Sequence, residues 1–438
     1  MPAPVKATIF AYQVGFGDCF LLRYNYKDGQ RRHLLIDFGT TGLPEDVASN
    51  HMLEVANDIA KKCREGEGDG IDVLVATHRH ADHISGFATR DDGTGPGDVI
   101  ASLHPKVVVQ PWTEAADAPL DWLGPEESDA DHQALTARWA SLQAMQVAAG
   151  QSLAFTRAHD KNLPQALSGQ LNFIGEDNLS NLSAVKNLQG MGDRRGSRHC
   201  YAYHGCDLGL DTLLPGIEVH VLGPPTLRQT ETIRKQRSRD KDEFWMLQPK
   251  RLADAAGASS SKTIFPDASY LPGTKLFTEQ RWLAHRINEL NGEVMLSLVR
   301  ALDKQMNNTS VILLMKAGSK SLLFPGDAQI ENWEYALQSP LAKLLDEVDL
   351  YKVGHHGSRN ATPRSMWNRF RKRGSGRRSD RLQSVLSTKK GKHGSESKHT
   401  EVPRVTLLAQ LKAKSKLYST EDLHAGELHQ TVELDLTT

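Results

Sequence analysis

One short run of side chains constrains this chain more than any other feature. Residues 77–83 read Thr-His-Arg-His-Ala-Asp-His, and the apolar run before them predicts a buried strand. Side chains alternate along a strand, so His78 and His80 are expected on one side, with Asp82 and His83 on the following turn. Imidazole and carboxylate groups together suit a divalent cation such as zinc, and also manganese or iron. A polar loop that is merely rich in histidine is the alternative, but this density of ligand-type side chains favours a metal centre.

The composition limits the class of protein. The chain has 438 residues, of which 39 % are hydrophobic, so it can bury a substantial core and form two to three domains. Its formal net charge is zero, so only a local patch could attract nucleic acid. Four cysteines argue against a disulfide framework and favour a reducing compartment. The start lacks the apolar core of a signal peptide, and no apolar run is long enough to span a membrane. We therefore expect a cytoplasmic protein with no membrane partner.

The run at 77–83 resembles the His-x-His-x-Asp-His signature of the metallo-β-lactamase-fold hydrolases. The resemblance implies an α/β fold, the αββα sandwich, in which two mixed sheets pack between helices and metals lie at one sheet edge. It also implies that His78 and His80 hold one cation, while Asp82 and His83 hold a second. In the same family pattern, Asp82 would orient or deprotonate the attacking water.

Later segments extend the resemblance, in particular to the metallo-β-lactamase-like domain of the competence DNA-uptake channel protein. That domain opens with a similar glycine-x-glycine-aspartate turn, at residues 15–18 of this chain, and with a strand that ends in aspartate-x-glycine, at Asp37. The resemblance implies that Asp37 supports the metal ligands from behind; a turn-forming aspartate is the alternative. Asp327 corresponds to the carboxylate that bridges two cations. His355 corresponds to the last histidine ligand, and its neighbour His356 is the alternative ligand.

One ligand of the general family pattern has no counterpart. Most members carry a histidine ahead of the bridging aspartate, whereas this chain has Asn-Asn-Thr-Ser at 307–310. The competence-protein branch shares this asparagine-rich substitution. The cation held by His78 and His80 would then have weaker ligation, or Asn308 would contribute a carbonyl oxygen to it. The cofactor is accordingly expected to be one or two divalent cations, with both Zn²⁺ and Mn²⁺ open.

The resemblance is interrupted in the middle of the chain. Residues 1–112 and 307–438 are expected to form the two halves of the fold. Residues 113–306 depart from the pattern and are interpreted as insertions that cap the active-site face. Within them, strand-like alternation predicts one core strand near 217–222.

Local patterns within the two halves predict individual elements. Apolar residues at helical spacing indicate helices at 44–64 and 329–346. A turn sequence at 27–30 predicts a β-hairpin.

A basic stretch bears on the substrate. Residues 359–398 contain thirteen Lys and Arg against two acids. Such a patch suits a phosphodiester backbone, and Arg371, Lys372 and Arg373 are expected to bind it. A solvated loop without a partner is the alternative.

These observations together predict metal-assisted hydrolysis by an activated water. A phosphodiesterase or nuclease acting on nucleic acid or nucleotides is the favoured function. A hydrolase of small nucleotides or carboxylic esters is one alternative, and a nucleic-acid- or partner-binding module with vestigial metals is another. The competence-protein branch carries a later histidine, for which His399 is expected as a catalytic, substrate-side group and His393 is the alternative.

Overall fold

Two mixed β-sheets form the centre of the fold in the computed structural model. The structure describes residues 3–65, 70–115, 182–226, 228–230, 307–358, 361–394, 401–424 and 426–437. The strands are β1 (Lys6–Tyr12), β2 (Cys19–Asn25), β3 (Arg31–Phe38), β4 (Val73–Val75), β5 (Val107–Pro111), β6 (Arg198–Ala202), β7 (Ile217–Gly223), β8 (Ile312–Ala317), β9 (Lys320–Phe324), β10 (Leu350–Lys352), β11 (Gln383–Leu386), β12 (Lys416–Ser419) and β13 (His429–Asp435). The seven-stranded sheet has the order β13-β1-β2-β3-β4-β5-β6, and the six-stranded sheet has the order β12-β11-β10-β9-β8-β7.

Helices cover the outer face of each sheet. They are α1 (His51–Arg64), α2 (Ala81–Ile84), α3 (Pro96–Ala101), α4 (Leu182–Gly192), α5 (Ile330–Gln338), α6 (Arg364–Arg369) and α7 (Val405–Lys414). Short 3-10 helices include Trp112–Glu114, Pro340–Glu347 and His355–Gly357. Within the described ranges, every helix is too short or too polar to cross a membrane.

Strand alternation distributes the apolar side chains between two cores. In β1, Ala7, Ile9 and Ala11 join the core between the sheets. Phe10 and Tyr12 face the other way and pack with the apolar sides of α1 and α4. Each large apolar side chain that is fully buried in this way stabilises the fold by about 1.5–3 kcal/mol.

The second sheet repeats this arrangement. In β8, Leu313 and Met315 face the first sheet, whereas Ile312 and Leu314 pack with helical residues such as Trp333 of α5. The layers are therefore helix, sheet, sheet, helix, which confirms the predicted αββα sandwich.

The two sheets also share a layout that places polar residues together. In each, an antiparallel meander (β1–β3 or β7–β9) leads into parallel strands (β3–β6 or β9–β12). Loops at the carboxyl ends of parallel strands commonly carry binding and catalytic groups. The polar motifs of this chain follow β3, β4, β9, β10 and β11.

Several local predictions can be compared with the structure. The hairpin at 27–30 is confirmed, since the Tyr26 amide donates to the Gln30 carbonyl at 2.9 Å. The helix predicted at 44–64 begins only at His51. The helix predicted at 329–346 is wrong in its continuity: α5 ends at Gln338, and a 3-10 helix starts at Pro340, which has no amide hydrogen to continue the α-helical ladder.

The segment interpreted as insertions also contributes core elements that the sequence patterns did not predict. Besides β7, which covers the predicted core strand, α4 packs on the first sheet and β6 pairs in parallel with β5. Most of 113–306 lies outside the described residues, so its capping role stays a prediction.

Candidate metal centre

The histidine-rich run folds as a tight connection between a strand and a short helix. β4 ends at Val75, and α2 begins at Ala81 with Asp82 in its first turn. His78 and His80 lie in the connection, and His78 Nε2 is 3.0 Å from His80 Nδ1. With a carboxylate oxygen of Asp82 they form a buried group whose ligand atoms all lie within 4.8 Å of one another.

A second group of potential ligands draws on both sheets. Asp82 and His83 come from α2, Asp327 follows β9, and His356 follows β10. His83 Nε2 lies 3.1 Å from Asp327 Oδ1, and His356 Nε2 lies 3.0 Å from Asp82 Oδ2. All four side chains are buried, and Asp82 belongs to both groups. The structure thus brings together five of the six residues expected as ligands, and adds His356.

The sixth, His355, lies at the exposed edge of this group, beside Asp327. Its side chain is 26 % exposed, its Nε2 is 3.8 Å from Asp327 Oδ2, and its Nδ1 is 3.1 Å from Ser358 Oγ. Its amide donates to Asp327 Oδ1 at 3.1 Å. Of the two adjacent histidines, His356 is therefore the one placed to bind a cation, which was the alternative from sequence.

The backbone of this turn is strained at both histidines. His355, His356 and Gly357 have φ angles of 46°, 50° and 82°. The left-handed region costs of order 1–3 kcal/mol for a residue other than glycine, and such strain concentrates at functional sites. Two consecutive histidines in this region cost conformational free energy that a plain polar turn would not need. The strain therefore favours a functional role for this turn.

Hydrogen bonds fix the orientation of two imidazoles. His83 Nδ1 lies 2.8 Å from Asp37 Oδ2, and His356 Nδ1 lies 3.1 Å from the Ser387 carbonyl, which accepts its proton. Both bonds leave Nε2 directed at the second ligand group. Metal-binding histidines characteristically donate their other ring nitrogen to a carboxylate or carbonyl in this way.

Asp37 lies directly behind His83, and its role in supporting a metal ligand stays a prediction. Its two oxygens accept hydrogen bonds from the Thr77 amide and hydroxyl, each at 2.7 Å, in addition to the contact with His83. Its φ of 55° at the end of β3 again places a strained residue at the centre.

The electrostatics of the groups suit cation binding. Burial lowers the pKa of His78, and the neighbouring histidines lower it further, so this imidazole is neutral. Burial alone would raise the pKa of Asp82 and Asp327, but His83 and the other nearby histidines outweigh it and lower both. The carboxylates are therefore ionised at neutral pH. The same carboxylates raise the pKa of His83 and His356 against the effect of burial. When metal is absent, protons on these two histidines therefore offset the negative charge of the carboxylates.

These residues fit a divalent cation. Neutral imidazole and ionised carboxylate are the donors that zinc and manganese accept. Asp327 Oδ2 is buried and has no hydrogen-bond partner among the described residues, yet it lies 3.7 Å from His356 Nε2. An unpaired buried carboxylate oxygen is costly, and a coordinated cation would satisfy it.

Two charged residues at the centre were missed by sequence reasoning. Asp18 follows the turn at 15–17 and is fully buried, and Lys352 ends β10 with a side chain only 2 % exposed. They form an ion pair. A lysine inside an apolar strand, separated by one residue from Gly-His-His-Gly at 354–357, was the available signal for Lys352.

The remaining predicted site residues are placed less directly. Asn308 is buried before β8, and its carbonyl accepts a hydrogen bond from Asn332 Nδ2 at 3.2 Å. Its role as an auxiliary ligand stays a prediction. His399 lies outside the described residues. His393 is described, and its ring centroid is 4.3 Å from that of Phe16, which is 4.3 Å from that of His356.

The three basic residues expected to bind nucleic acid all have intramolecular partners. Arg371 pairs with Asp346 at 2.9 Å, Lys372 pairs with Asp349 at 2.9 Å, and Arg373 donates to the Phe370 carbonyl at 3.0 Å. Only Arg371 is largely exposed, at 69 % of its side chain, whereas 14 % of Lys372 is exposed. Their binding role stays a prediction, and the Lys372 ammonium is engaged by Asp349 and by the Glu347 carbonyl, just before β10.

Comparison with known families agrees with this geometry. Residues 12–132 match the sequence model of the metallo-beta-lactamase superfamily. No curated protein matches the chain. The matched range contains Asp37 and the run at 77–83, and the second sheet contributes Asp327 and His356 to the same centre. On this evidence, residues 12–132 are similar to a metallo-β-lactamase superfamily domain, and the fold carries a cluster of His and Asp suited to a divalent metal.

Proposed function

We propose that this protein is a metal-dependent phosphodiesterase that acts on nucleic acid. The superfamily domain and the His/Asp cluster support a metal-dependent hydrolase in general terms. The finer assignment is carried by one observation, that two adjacent groups of ligands share Asp82. Paired cations are characteristic of enzymes that cleave phosphate esters, because each cation can bind one of the oxygens involved in displacement.

The chain's own residues have defined parts in this proposal. Bound divalent cations lower the pKa of water and neutralise charge on phosphoryl oxygens. Asp82, ionised and at the junction of the two groups, orients the attacking water or accepts its proton. Asp327, from the second sheet, contacts His83, from the first, and so brings ligands of the two sheets together. Asp37 fixes the orientation of the His83 ring.

One exposed basic residue near the centre, Lys392, fits an anionic polymer. Lys392 is exposed, and its side chain lies over Gly42, where an added Cβ would be 3.2 Å from Lys392 Cε. Its neighbour His393 packs on Phe16 next to His356. A phosphate backbone held by this rim would extend from the metal centre. The resemblance to the competence DNA-uptake protein is consistent with such a substrate.

The first experiment tests the reaction. Protein stripped of metal and reloaded with Mn²⁺ or Zn²⁺ is given a chromogenic phosphodiester, linear DNA and RNA, a cyclic nucleotide and a chromogenic carboxylic ester. We expect hydrolysis of the phosphodiester and of polymer. Asp82→Asn should lower kcat/KM by at least about 100-fold, which corresponds to about 2.7 kcal/mol of transition-state stabilisation. Metal-loaded protein that cleaves only the ester, or only the cyclic nucleotide, would favour the small-substrate alternative.

The second experiment tests the polymer. DNA binding is measured across a salt series for wild type, Lys392→Ala and Arg371→Ala. If Lys392 contacts a phosphate, its loss should reduce the salt slope by about 1. Arg371, already paired with Asp346, should change the slope less. Salt-dependent binding without any metal-dependent cleavage would instead indicate a binding module, and protein that neither binds nor cleaves polymer would refute the nuclease proposal.

A further inference from the structure

Lys352 is an unusual residue to find inside the fold. It lies on the face of β10 that points between the sheets, since Leu350 on the same face belongs to the inter-sheet core. Its side chain is 2 % exposed. A buried ammonium is very costly unless it is paired and hydrogen-bonded. The groups that pair with Lys352 therefore indicate its role.

Those partners connect the ammonium to the candidate metal centre. Lys352 Nζ forms an ion pair with Asp18 Oδ2, lies 3.6 Å from Asp327 Oδ1, and donates to the Gly326 carbonyl at 3.2 Å. Burial alone would lower the pKa of Lys352, but the two carboxylates outweigh it and raise the pKa above its ordinary value. The ammonium is therefore charged at neutral pH.

Asp18 in turn lies behind both oriented histidines. Its Oδ2 is 3.6 Å from His83 Nδ1, and its Oδ1 is 3.6 Å from His356 Nδ1. Its main chain is tied to the metal-binding helix, because its amide donates to the Asp82 carbonyl at 2.9 Å. The carboxylate thus contacts two predicted ligands, while its counter-ion contacts a third.

We propose that Asp18 and Lys352 are positioning residues of the metal centre, a built-in ion pair that holds His83, His356 and Asp327 in place from behind. The pair links the loop after β1 to the end of β10, and so couples ligands supplied by the two sheets. Lys352 Nζ approaches the same Asp327 oxygen, Oδ1, that lies 3.1 Å from His83 Nε2, while Oδ2 lies 3.7 Å from His356 Nε2. This inference rests on the metal centre of the proposed function, but not on the identity of the substrate.

A charge-neutral double variant separates positioning from electrostatics. Asp18→Asn/Lys352→Met removes one negative and one positive charge, so the net charge around the cation is unchanged. Groups that support metal ligands typically change metal affinity by about 10–100-fold. We expect the double variant to bind Mn²⁺ and Zn²⁺ about 10–100-fold more weakly than wild type, as measured by chelator competition.

A matched pair at the other end of the same strand is the control. Lys372 and Asp349, which precedes β10, form an ion pair at 2.9 Å with side chains 14 % and 9 % exposed. The double variant Asp349→Asn/Lys372→Met should leave metal affinity within about twofold of wild type, even if it lowers the melting temperature. Thermal unfolding of the metal-free proteins shows whether each variant is folded.

The outcomes are distinct. If the Asp18→Asn/Lys352→Met protein is folded and binds metal like wild type, the pair is only structural and the proposal is wrong. If this variant does not fold, Lys352→Met alone is measured: its site is one unit more negative, so a loss of affinity supports positioning, and unchanged or tighter binding overturns it. Wild type that binds no cation would overturn both the metal centre and this role. Metal-binding wild type without phosphodiesterase activity would refute only the proposed function.

Discussion

At the scale of single residues, the metal centre depends on which of two adjacent histidines, His355 or His356, points its ring at the other ligands. Adjacent histidines offer the same chemistry in sequence and have a similar left-handed backbone, but only His356 joins the ligand group. His355 uses its amide on Asp327 and leaves its ring partly exposed. The two residues therefore give a matched comparison.

We expect His356→Asn to weaken metal binding much more than His355→Asn. Asparagine tolerates a positive φ, so neither change adds backbone strain. Only the first removes a ring nitrogen from the ligand group, and the expected loss is at least tenfold in affinity. Titration with Mn²⁺ or Zn²⁺ decides between them, and a larger effect at His355 would reinstate the assignment implied by the family resemblance.

At the scale of elements, close packing of loops holds the histidine-rich connection in place. The turn before β2 contacts both the end of β3 and the start of α2. A Cβ added at Gly17 would lie 2.1 Å from the Gly39 carbonyl oxygen and 2.8 Å from that of Asp82. Backbone atoms cannot move aside as a side chain can, so a methyl group here must displace the metal-binding helix.

Gly17→Ala should therefore destabilise the protein by about 1–3 kcal/mol, as is typical of overpacking, and weaken metal binding as well. Gly190→Ala in α4 is the control, because nothing lies within 4 Å of an added Cβ. That change should stabilise the helix by about 0.5–1 kcal/mol. Denaturant unfolding and metal titration of both variants provide the check; equal effects would show that the close approach at Gly17 is tolerated.

At the scale of the whole molecule, the centre joins the two sheets. His78, His80, Asp82 and His83 follow a strand of the first sheet, while Asp327 and His356 follow strands of the second. A cation bound by both sets links the halves in the folded protein and loses these ligands on unfolding. Binding should therefore raise the free energy of unfolding, by about 4 kcal/mol at a thousandfold excess over Kd.

This stabilisation should grow as pH rises from 6 to 8. In the metal-free protein the pKa values of His83 and His356 are raised, so their protons stabilise the fold fully below the unfolded histidine pKa of about 6.5. That contribution is lost as pH rises through the folded pKa values. Metal replaces the protons, so the difference in melting temperature between loaded and metal-free protein should widen. A difference that narrows with rising pH would contradict this assignment of the two protons.

Much of the metal chemistry and of the local structure was determined by the sequence alone. The run at 77–83 indicated the metal chemistry, because its ligand types lie so close along the chain that any fold with a strand before them keeps them together. Alternating and continuous apolar runs similarly predicted individual strands, since each strand must bury its apolar face, while the family resemblance implied the sandwich that they form. Local signals of this kind do not depend on the rest of the chain.

Tertiary structure decided what depends on contacts between distant segments. It placed His356 rather than His355 in the group with Asp82 and His83, paired Asp18 with Lys352 across 334 positions, and engaged Arg371 and Lys372 with acids beside the second sheet. It also broke the helix expected at 329–346, where a proline outweighed apolar spacing. Composition showed the charges, but only the fold brings each charge to its partner, because ion pairing depends on distance in space rather than in sequence.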